Sequence, residues 1–201
     1  MNLARYVLAL AMVVLFLPAI SFWFLIHPFS GFWRRLGPWR TYAILLSTMM
    51  LLAVVIYQFK DWLLAVEFGT SYVLLAFAIV IYAGSTFVEW QCRRHLSLAT
   101  LIGLPQLAPG RQDGVLLTQG IYARIRHPRY VAVFLGVIAI ALSTNYLAVY
   151  ILIPLSAIAL YLIVLLEEKE LQACFGDAYI QYCARVPRFL PTARQAAGRG
   201  S

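Results

Sequence analysis

The chain has 201 residues, 63% of them hydrophobic and 12% charged, with a net charge of +8 and a mean hydropathy of +0.81. A chain this apolar cannot hide its surface in the core of an ordinary soluble domain, and its basic residues flank hydrophobic runs instead of forming a polar face. The composition therefore excludes a soluble globular protein, argues against a nucleic-acid partner, and implies one polytopic membrane domain. Cys92, Cys174 and Cys183 are odd in number and lack the paired spacing of a zinc site, so they read as free, reduced thiols.

The first apolar run, residues 6–26, is long enough to cross a bilayer at about 1.5 Å per residue against about 30 Å of hydrocarbon. It is too long for a signal-peptide core and ends in Phe22-Trp23-Phe24 where a cleavage site would need small residues, so it reads as a retained span. Pro18 is placed to kink it. The connection that follows holds His27, Pro28, Arg34, Arg35 and Arg40, with Trp33 and Trp39 suited to an interfacial belt. A second span is expected over residues 41–59 and a third over 69–88, joined through Lys60-Asp61-Trp62 and Glu67.

Residues 89–129 form the longest polar interruption and carry Arg93, Arg94, Arg111, Arg124, Arg126 and Arg129. Gly-Leu-Pro, Pro-Gly and Asp-Gly steps mark turns within it, and a connection of this length is more often functional than idle. The uncharged run 131–166 is too long for one span and must fold as a hairpin, turning at Ser143-Thr144-Asn145. Its first arm, from Pro128 to Ser143, spans about 24 Å as a helix, which would recess the His127 end below the headgroups. The second arm, bent by Pro154, is expected to end at Glu167-Glu168. Beyond it Leu171, Phe175, Tyr179 and Tyr182 recur at helical steps and predict one amphipathic helix over 168–185. Residues 192–201 read as a polar, disordered tail.

With five spans and the N-terminus outside, every lysine and arginine except Arg5 and Lys60 falls on the inner side, which orients the chain. The expected fold is all-α: about five transmembrane helices including a C-terminal hairpin, plus an amphipathic cytoplasmic helix. Three spans occupy residues 1–90, a cytoplasmic cofactor-binding loop 91–129, the hairpin 130–166, the acidic motif and surface helix 167–191, and the tail 192–201.

Two stretches concentrate the chemistry. Residues 120–130 pack three arginines, a histidine and two tyrosines beside an apolar run. Pro128 suits the first turn of a helix, so His127 falls at or near the N-cap and Tyr130 about one turn inside. The free N–H groups and positive dipole end there favour an anion. The plainer reading is a basic loop that only marks the cytoplasmic side. Glu167 and Glu168 either point to solvent and neighbouring arginines or line a site for a cation. A ligand carrying a carboxylate, an ammonium and a sulfonium would suit both clusters, with Tyr122 and Tyr130 flanking its base or its cation. S-adenosyl-L-methionine is such a ligand.

The ordered pattern Thr118-Gln119-Gly120-Ile121-Tyr122, Arg126-His127-Pro128-Arg129-Tyr130, a hydrophobic hairpin, Glu167-Glu168, Leu171, Phe175-Gly176, Tyr179, Tyr182 and Val186-Pro187-Arg188-Phe189-Leu190-Pro191 resembles the isoprenylcysteine carboxyl methyltransferase family of integral membrane enzymes, relatives of the phospholipid methyltransferases. The resemblance covers residues 114–191. It implies transfer of a methyl group from S-adenosyl-L-methionine to a lipophilic acceptor entering from the bilayer. Carboxyl O-methylation of a prenylated cysteine is the family default; N-methylation of a phospholipid amine, or methylation of another small lipophilic compound, is the alternative. It also implies that the backbone of Gly114, Val115, Leu116 and Leu117, with Tyr122, His127, Pro128, Arg129 and Tyr130, holds the cofactor on one side. Glu167 and Glu168 meet it from the other, and Arg126, His127 and Glu167 stand nearest the chemistry.

Two positions depart from the relatives. The prenylcysteine enzymes place a substrate-binding arginine four residues before the first glutamate, where this chain has Ile163; the phospholipid enzymes carry Gly-x-Gly in a membrane helix, where the third span offers Ala83-Gly84-Ser85. A carboxylate acceptor needs no base, whereas an amine or thiol must lose a proton, and His127 is the motif's basic candidate. A transporter or non-catalytic assembly protein is the reading from another class. It predicts ionisable residues deep in the spans and repeated halves, and the sequence has neither. No strand followed by a Gly-rich phosphate loop is present, which excludes the soluble type of methyltransferase fold.

Overall fold

The computed structural model describes residues 2–26, 28–94 and 116–191. Helix α1 (Leu3–Ile26) leads through the short α2 (Ser30–Leu36) to α3 (Pro38–Gln58), the single turn α4 (Lys60–Leu63) and α5 (Tyr72–Arg93). After a 3-10 turn at Gly120–Ala123 come α6 (Pro128–Thr144), α7 (Leu147–Phe175) and α8 (Asp177–Arg185). The all-α polytopic expectation holds. Among the described residues four helices, α1, α3, α5 and α7, are long and apolar enough to cross a membrane, and α6 is a shorter apolar helix. His27, the turn-rich stretch 95–115 with Arg111, and the predicted tail 192–201 lie outside the described residues.

Local chemistry fixes the helix ends. Pro38 occupies the first turn of α3 after Gly37, whose φ of +79° a side chain would strain. Ser71 caps α5 by accepting the Leu74 N–H at 3.4 Å. The hairpin turns where the sequence predicts it: Asn145 ends α6 in the left-handed region (φ 57°, ψ 46°) and donates its N–H to the Ala141 carbonyl at 2.9 Å. Asparagine tolerates that conformation better than any residue but glycine.

Two expectations change. The second hairpin arm does not end at the acidic pair: α7 runs 29 residues to Phe175, leaving Glu167 and Glu168 about two turns inside it. The single helix predicted over 168–185 is also split. Gly176, at φ +53°, stops α7, and α8 starts afresh at Asp177. The apolar period does continue through the break, because Tyr179 and Tyr182 fold back onto Leu171, Phe175 and Leu116. Periodicity records the shared face, and only the glycine records the turn. Pro18 and Pro154 both lie inside their helices as predicted.

Small residues bring the helices close. Ser85 of α5 donates to the Ala132 carbonyl of α6 at 2.8 Å, and Gly136 faces the same hydroxyl. Ala9 and Val13 of α1 pack on Val137, Ala141, Val149 and Leu152 of the hairpin. At the other end of α1, Ile26 meets Trp33 and Leu45, and the Trp33 indole donates to the Leu25 carbonyl at 2.7 Å. Leu15, Met50, Phe77 and Ile158 are exposed on the outer faces, as lipid-facing positions should be.

Arg5 locks the end of the bundle where the hairpin turns. Its Nε and Nη2 donate to the Thr144 carbonyl at 3.0 and 2.6 Å, and its Nη1 donates to the Thr70 hydroxyl at 2.8 Å and pairs with Glu67 at 2.9 Å. The chain around Glu67 is in turn stitched to the hairpin tip, with Phe68 N–H on the Asn145 carbonyl at 3.0 Å and Leu147 N–H on the Val66 carbonyl at 3.1 Å. A cation at the last carbonyls of α6 also complements the helix dipole. Arg5→Met, which keeps the packing and removes the charge, is expected to destabilise the fold by about 2 kcal/mol, below the value for a wholly buried pair because Glu67 is partly exposed. Thermal unfolding in detergent micelles checks this, with Glu67→Gln expected to lower the midpoint in the same direction.

Candidate active site

At the opposite end of the bundle the start of α6, the last third of α7 and the segment after α8 converge. His127 is the N-cap residue of α6 with Pro128 in the first turn, and no side chain caps that end. The N–H groups of the first turn therefore lack intrahelical acceptors. The backbone leading into it is tied from outside: the Arg126 N–H donates to the Pro187 carbonyl at 2.8 Å and the His127 N–H to the Arg188 carbonyl at 3.0 Å. One residue pair after α8 thus fixes the entry to α6.

The tyrosines complete that wall. The Tyr182 hydroxyl donates to the Tyr122 carbonyl at 2.6 Å. Burial pushes the Tyr182 phenol up to about 12, so it remains a donor at any physiological pH. Burial raises the Tyr122 phenol further still, and a hydrogen bond to the Cys92 thiol ties it to α5. Arg129 lays its guanidinium 5.7 Å from the centre of the Trp23 ring, which brings the end of α1 to the site.

Glu168 is the point where the two sequence motifs meet. Arg188 donates Nη2 to its Oε2 at 2.7 Å and Nε to both oxygens at 3.0 and 3.1 Å. Arg126 Nη1 lies 3.3 Å from Oε1, and His127 Nε2 lies 3.2 Å from the same oxygen. An ionised carboxylate can only accept, so the imidazole donates through Nε2 and turns Nδ1 to Glu167, whose Oε2 is 3.6 Å away. Glu167 also takes a hydrogen bond from Tyr130. The two carboxylates are not equivalent: Glu168 is 12% exposed and wholly engaged by the chain's own cations, whereas Glu167 is 30% exposed. The rings of Tyr130 and Phe189 stand 5.8 and 6.3 Å from His127, and Tyr161 lies 6.4 Å beyond Phe189 toward the outer face of α7.

Of the residues singled out from sequence, Tyr122, Arg126, His127, Pro128, Tyr130, Glu167 and Glu168 are brought together, with Arg129 beside them. Leu116 packs against Tyr179 and Tyr182, and Leu117 is half-buried, while Gly114 and Val115 lie outside the described residues. Ile163 is fully buried. Gly84 opens to empty space, and its neighbour Ser85 is the residue that faces α6, so Ala83-Gly84-Ser85 supplies no glycine to the site. Arg188 received no role from sequence. It stands in the Val-Pro-Arg segment, but nothing in its spacing from Glu168 marks the two as partners across the Gly176 break. Arg126 Nη1 also contacts the Cys183 sulfur, while its buried Nε has no hydrogen-bond partner among the described residues.

A phospholipid methyltransferase family model matches residues 73–178, more than half of the chain. The chain belongs to the phospholipid methyltransferase family. Its resemblance to the isoprenylcysteine enzymes also holds: it is 36% identical over 85 residues to the protein-S-isoprenylcysteine O-methyltransferase of Schizosaccharomyces pombe, covering 40% of this chain and 34% of that one. It is 33% identical over 82 residues to the cobalt-zinc-cadmium resistance protein CzcN of Cupriavidus metallidurans, covering 41% of this chain and 38% of that one. The nickel-cobalt-cadmium resistance protein NccN of Alcaligenes xylosoxydans xylosoxydans is 29% identical over 82 residues, with the same shares covered. The chain thus spans little more than a third of the length of the curated relatives it matches. No solved structure matches it.

For this family member the geometry separates two kinds of substitution. Glu168→Gln leaves two guanidiniums and an imidazole facing one another and is expected to cost about 2 kcal/mol. Tyr182→Phe strips the donor from the Tyr122 carbonyl and is expected to cost about 1 kcal/mol. Chemical or thermal unfolding in detergent, read for both variants beside the parent chain, checks the order.

Proposed function

We propose that the chain is an S-adenosyl-L-methionine-dependent methyltransferase whose acceptor is a lipophilic molecule reached from the bilayer, with the site on the cytoplasmic face. The observation that carries this reading is the 3.2 Å junction between His127 and Glu168, two residues 41 apart in sequence and separated by an entire hydrophobic hairpin. It brings the donors that precede the hairpin against the carboxylates of its second arm, the two kinds of group that a zwitterionic sulfonium requires.

The residues present fit that cofactor. Arg126 offers an Nε–H without an acceptor among the described residues, and the uncapped first turn of α6 offers backbone N–H groups, so together they would take a carboxylate. Glu167, the more exposed of the acidic pair, would take the cationic end, and the rings of Tyr122 and Tyr130 would flank it. When bound, the cofactor supplies an electrophilic methyl group on its sulfonium. The chain's part is to orient, to exclude water and to manage charge. An amine acceptor must also surrender a proton, and the His127 Nδ1–Glu167 pair, 3.6 Å apart, is where the chain can hold it.

Ile163 supports one class of acceptor over the other. Fully buried and apolar, it stands where a prenylcysteine enzyme would clamp a carboxylate, so the geometry favours an amine or another small lipophilic nucleophile, in line with the phospholipid methyltransferase match. A prenylated cysteine is the second reading, favoured by the similarity to the Schizosaccharomyces pombe enzyme.

Isothermal titration of the detergent-solubilised chain with S-adenosyl-L-methionine is expected to show binding that His127→Ala, Glu167→Gln and Tyr130→Phe each weaken by about tenfold or more without loss of fold. Equal affinity in all four proteins removes the site. Methyl-labelled cofactor offered with vesicles containing aminophospholipid, and separately with a farnesylated cysteine, is expected to label the lipid; label in the farnesylated compound alone transfers the assignment to the second reading.

A further inference from the structure

We infer that Arg188 is a positioning residue that sets the imidazole of His127 by holding Glu168, and that it does so without touching the substrates. The inference rests on the methyl-transfer reading of the site and adds to it a residue that reading does not use.

Arg188 grips the site twice. Its carbonyl accepts the His127 N–H at 3.0 Å, which fixes the backbone at the start of α6. Its guanidinium meets Glu168 as a fork, Nη2 on one oxygen at 2.7 Å and Nε shared between both at 3.0 and 3.1 Å. A planar fork of this kind orients a carboxylate as well as attracting it, which a lysine cannot do. The oriented Glu168 presents Oε1 to His127 Nε2 at 3.2 Å, so the imidazole is left with Nδ1 toward Glu167. Rotation of Glu168 would release that choice.

The surroundings keep the fork in place. Pro187 restricts the backbone before it. The guanidinium sits 5.9 Å from the centre of the Tyr161 ring, with Nη1 3.4 Å from its hydroxyl, and Phe189 lies between Tyr161 and His127. Hydrogen bonding to Glu168 pushes the Arg188 guanidinium above its usual range, so it stays charged. The backbone strap needs only the carbonyls of residues 187 and 188, which remain whatever side chain stands at 188. Neutralising Glu168 needs only a nearby cation, which Arg126 already supplies at 3.3 Å; the fork adds a fixed orientation of the carboxylate.

The test uses the full chain in detergent with imidazole-¹⁵N histidine, the His127 signals being identified by their loss in His127→Gln. In the parent chain His127 is expected to show a fixed tautomer protonated at Nε2. Arg188→Ala is expected to replace it with an averaged pattern and, with aminophospholipid as the acceptor, to lower kcat by about ten- to a hundredfold and to change the KM for that lipid by less than about threefold. Arg188→Lys, which keeps the charge and every backbone contact, is expected to fold normally and to recover only part of both effects. Parent-like His127 signals and kcat in Arg188→Lys overturn the inference, as does an unchanged tautomer in a folded Arg188→Ala. The nitrogen spectra need no cofactor or acceptor. Failure of the parent chain to bind S-adenosyl-L-methionine would therefore sink the proposed function while the spectra still decide the role of Arg188.

Discussion

A carboxylate at the edge of an apolar bundle survives there only if cations and donors meet it, and Glu168 is met by two guanidiniums and an imidazole. The architecture of this end of the molecule follows from that need. Arg126 and His127 come from before the hairpin, Glu168 from its second arm, and Arg188 from beyond the last helix. No two of these segments are neighbours in the chain, so the ionic cluster closes the C-terminal half into one unit. The break at Gly176 matters for the same reason: without a residue free to adopt positive φ, α7 would carry on and Arg188 would never return to the helix it left.

The hairpin delivers these groups with little freedom. Asn145 sets its turn, and Ser85, Ala132 and Gly136 let α5 and α6 approach closely enough that the start of α6 has a defined position. Arg5 and Glu67 hold the far end. The bundle is therefore clamped by polar contacts at both ends and by small-residue packing between them, an economical arrangement where helices gain nothing from burying oil against oil. Among the described residues the charged side chains of the spans sit toward their ends, which suits a surface reaction better than passage across the membrane.

The spans, the hairpin turn and the start of α6 at His127-Pro128 were legible in the sequence because each has a local signal. Hydropathy marks a span, Asn145 marks a left-handed stop, and His127-Pro128 marks a helix start. The end of α7 was not legible. Glu167 and Glu168 look like the border of a span, yet their charge is neutralised by partners from elsewhere in the chain, and the helix continues past them. Hydropathy carries no record of a partner supplied by tertiary structure. Arg188 was missed for the same reason: its role exists only once Gly176 has folded α8 back. The Ala83-Gly84-Ser85 triplet shows the reverse case, a sequence feature close to a family motif whose glycine has no neighbour while the serine beside it faces α6.

The shortness of α6 has a consequence for the lipid itself. Its 17 residues reach about 25 Å, several ångströms less than the hydrocarbon of a typical bilayer. A span this short is matched either by a thinner leaflet beside it or by an end held below the headgroups, and the end that carries the imidazole is the one concerned. On the methyl-transfer reading proposed above, a molecule anchored by its tail would then reach the site with its chain still in oil, and turnover would vary with the thickness of the membrane.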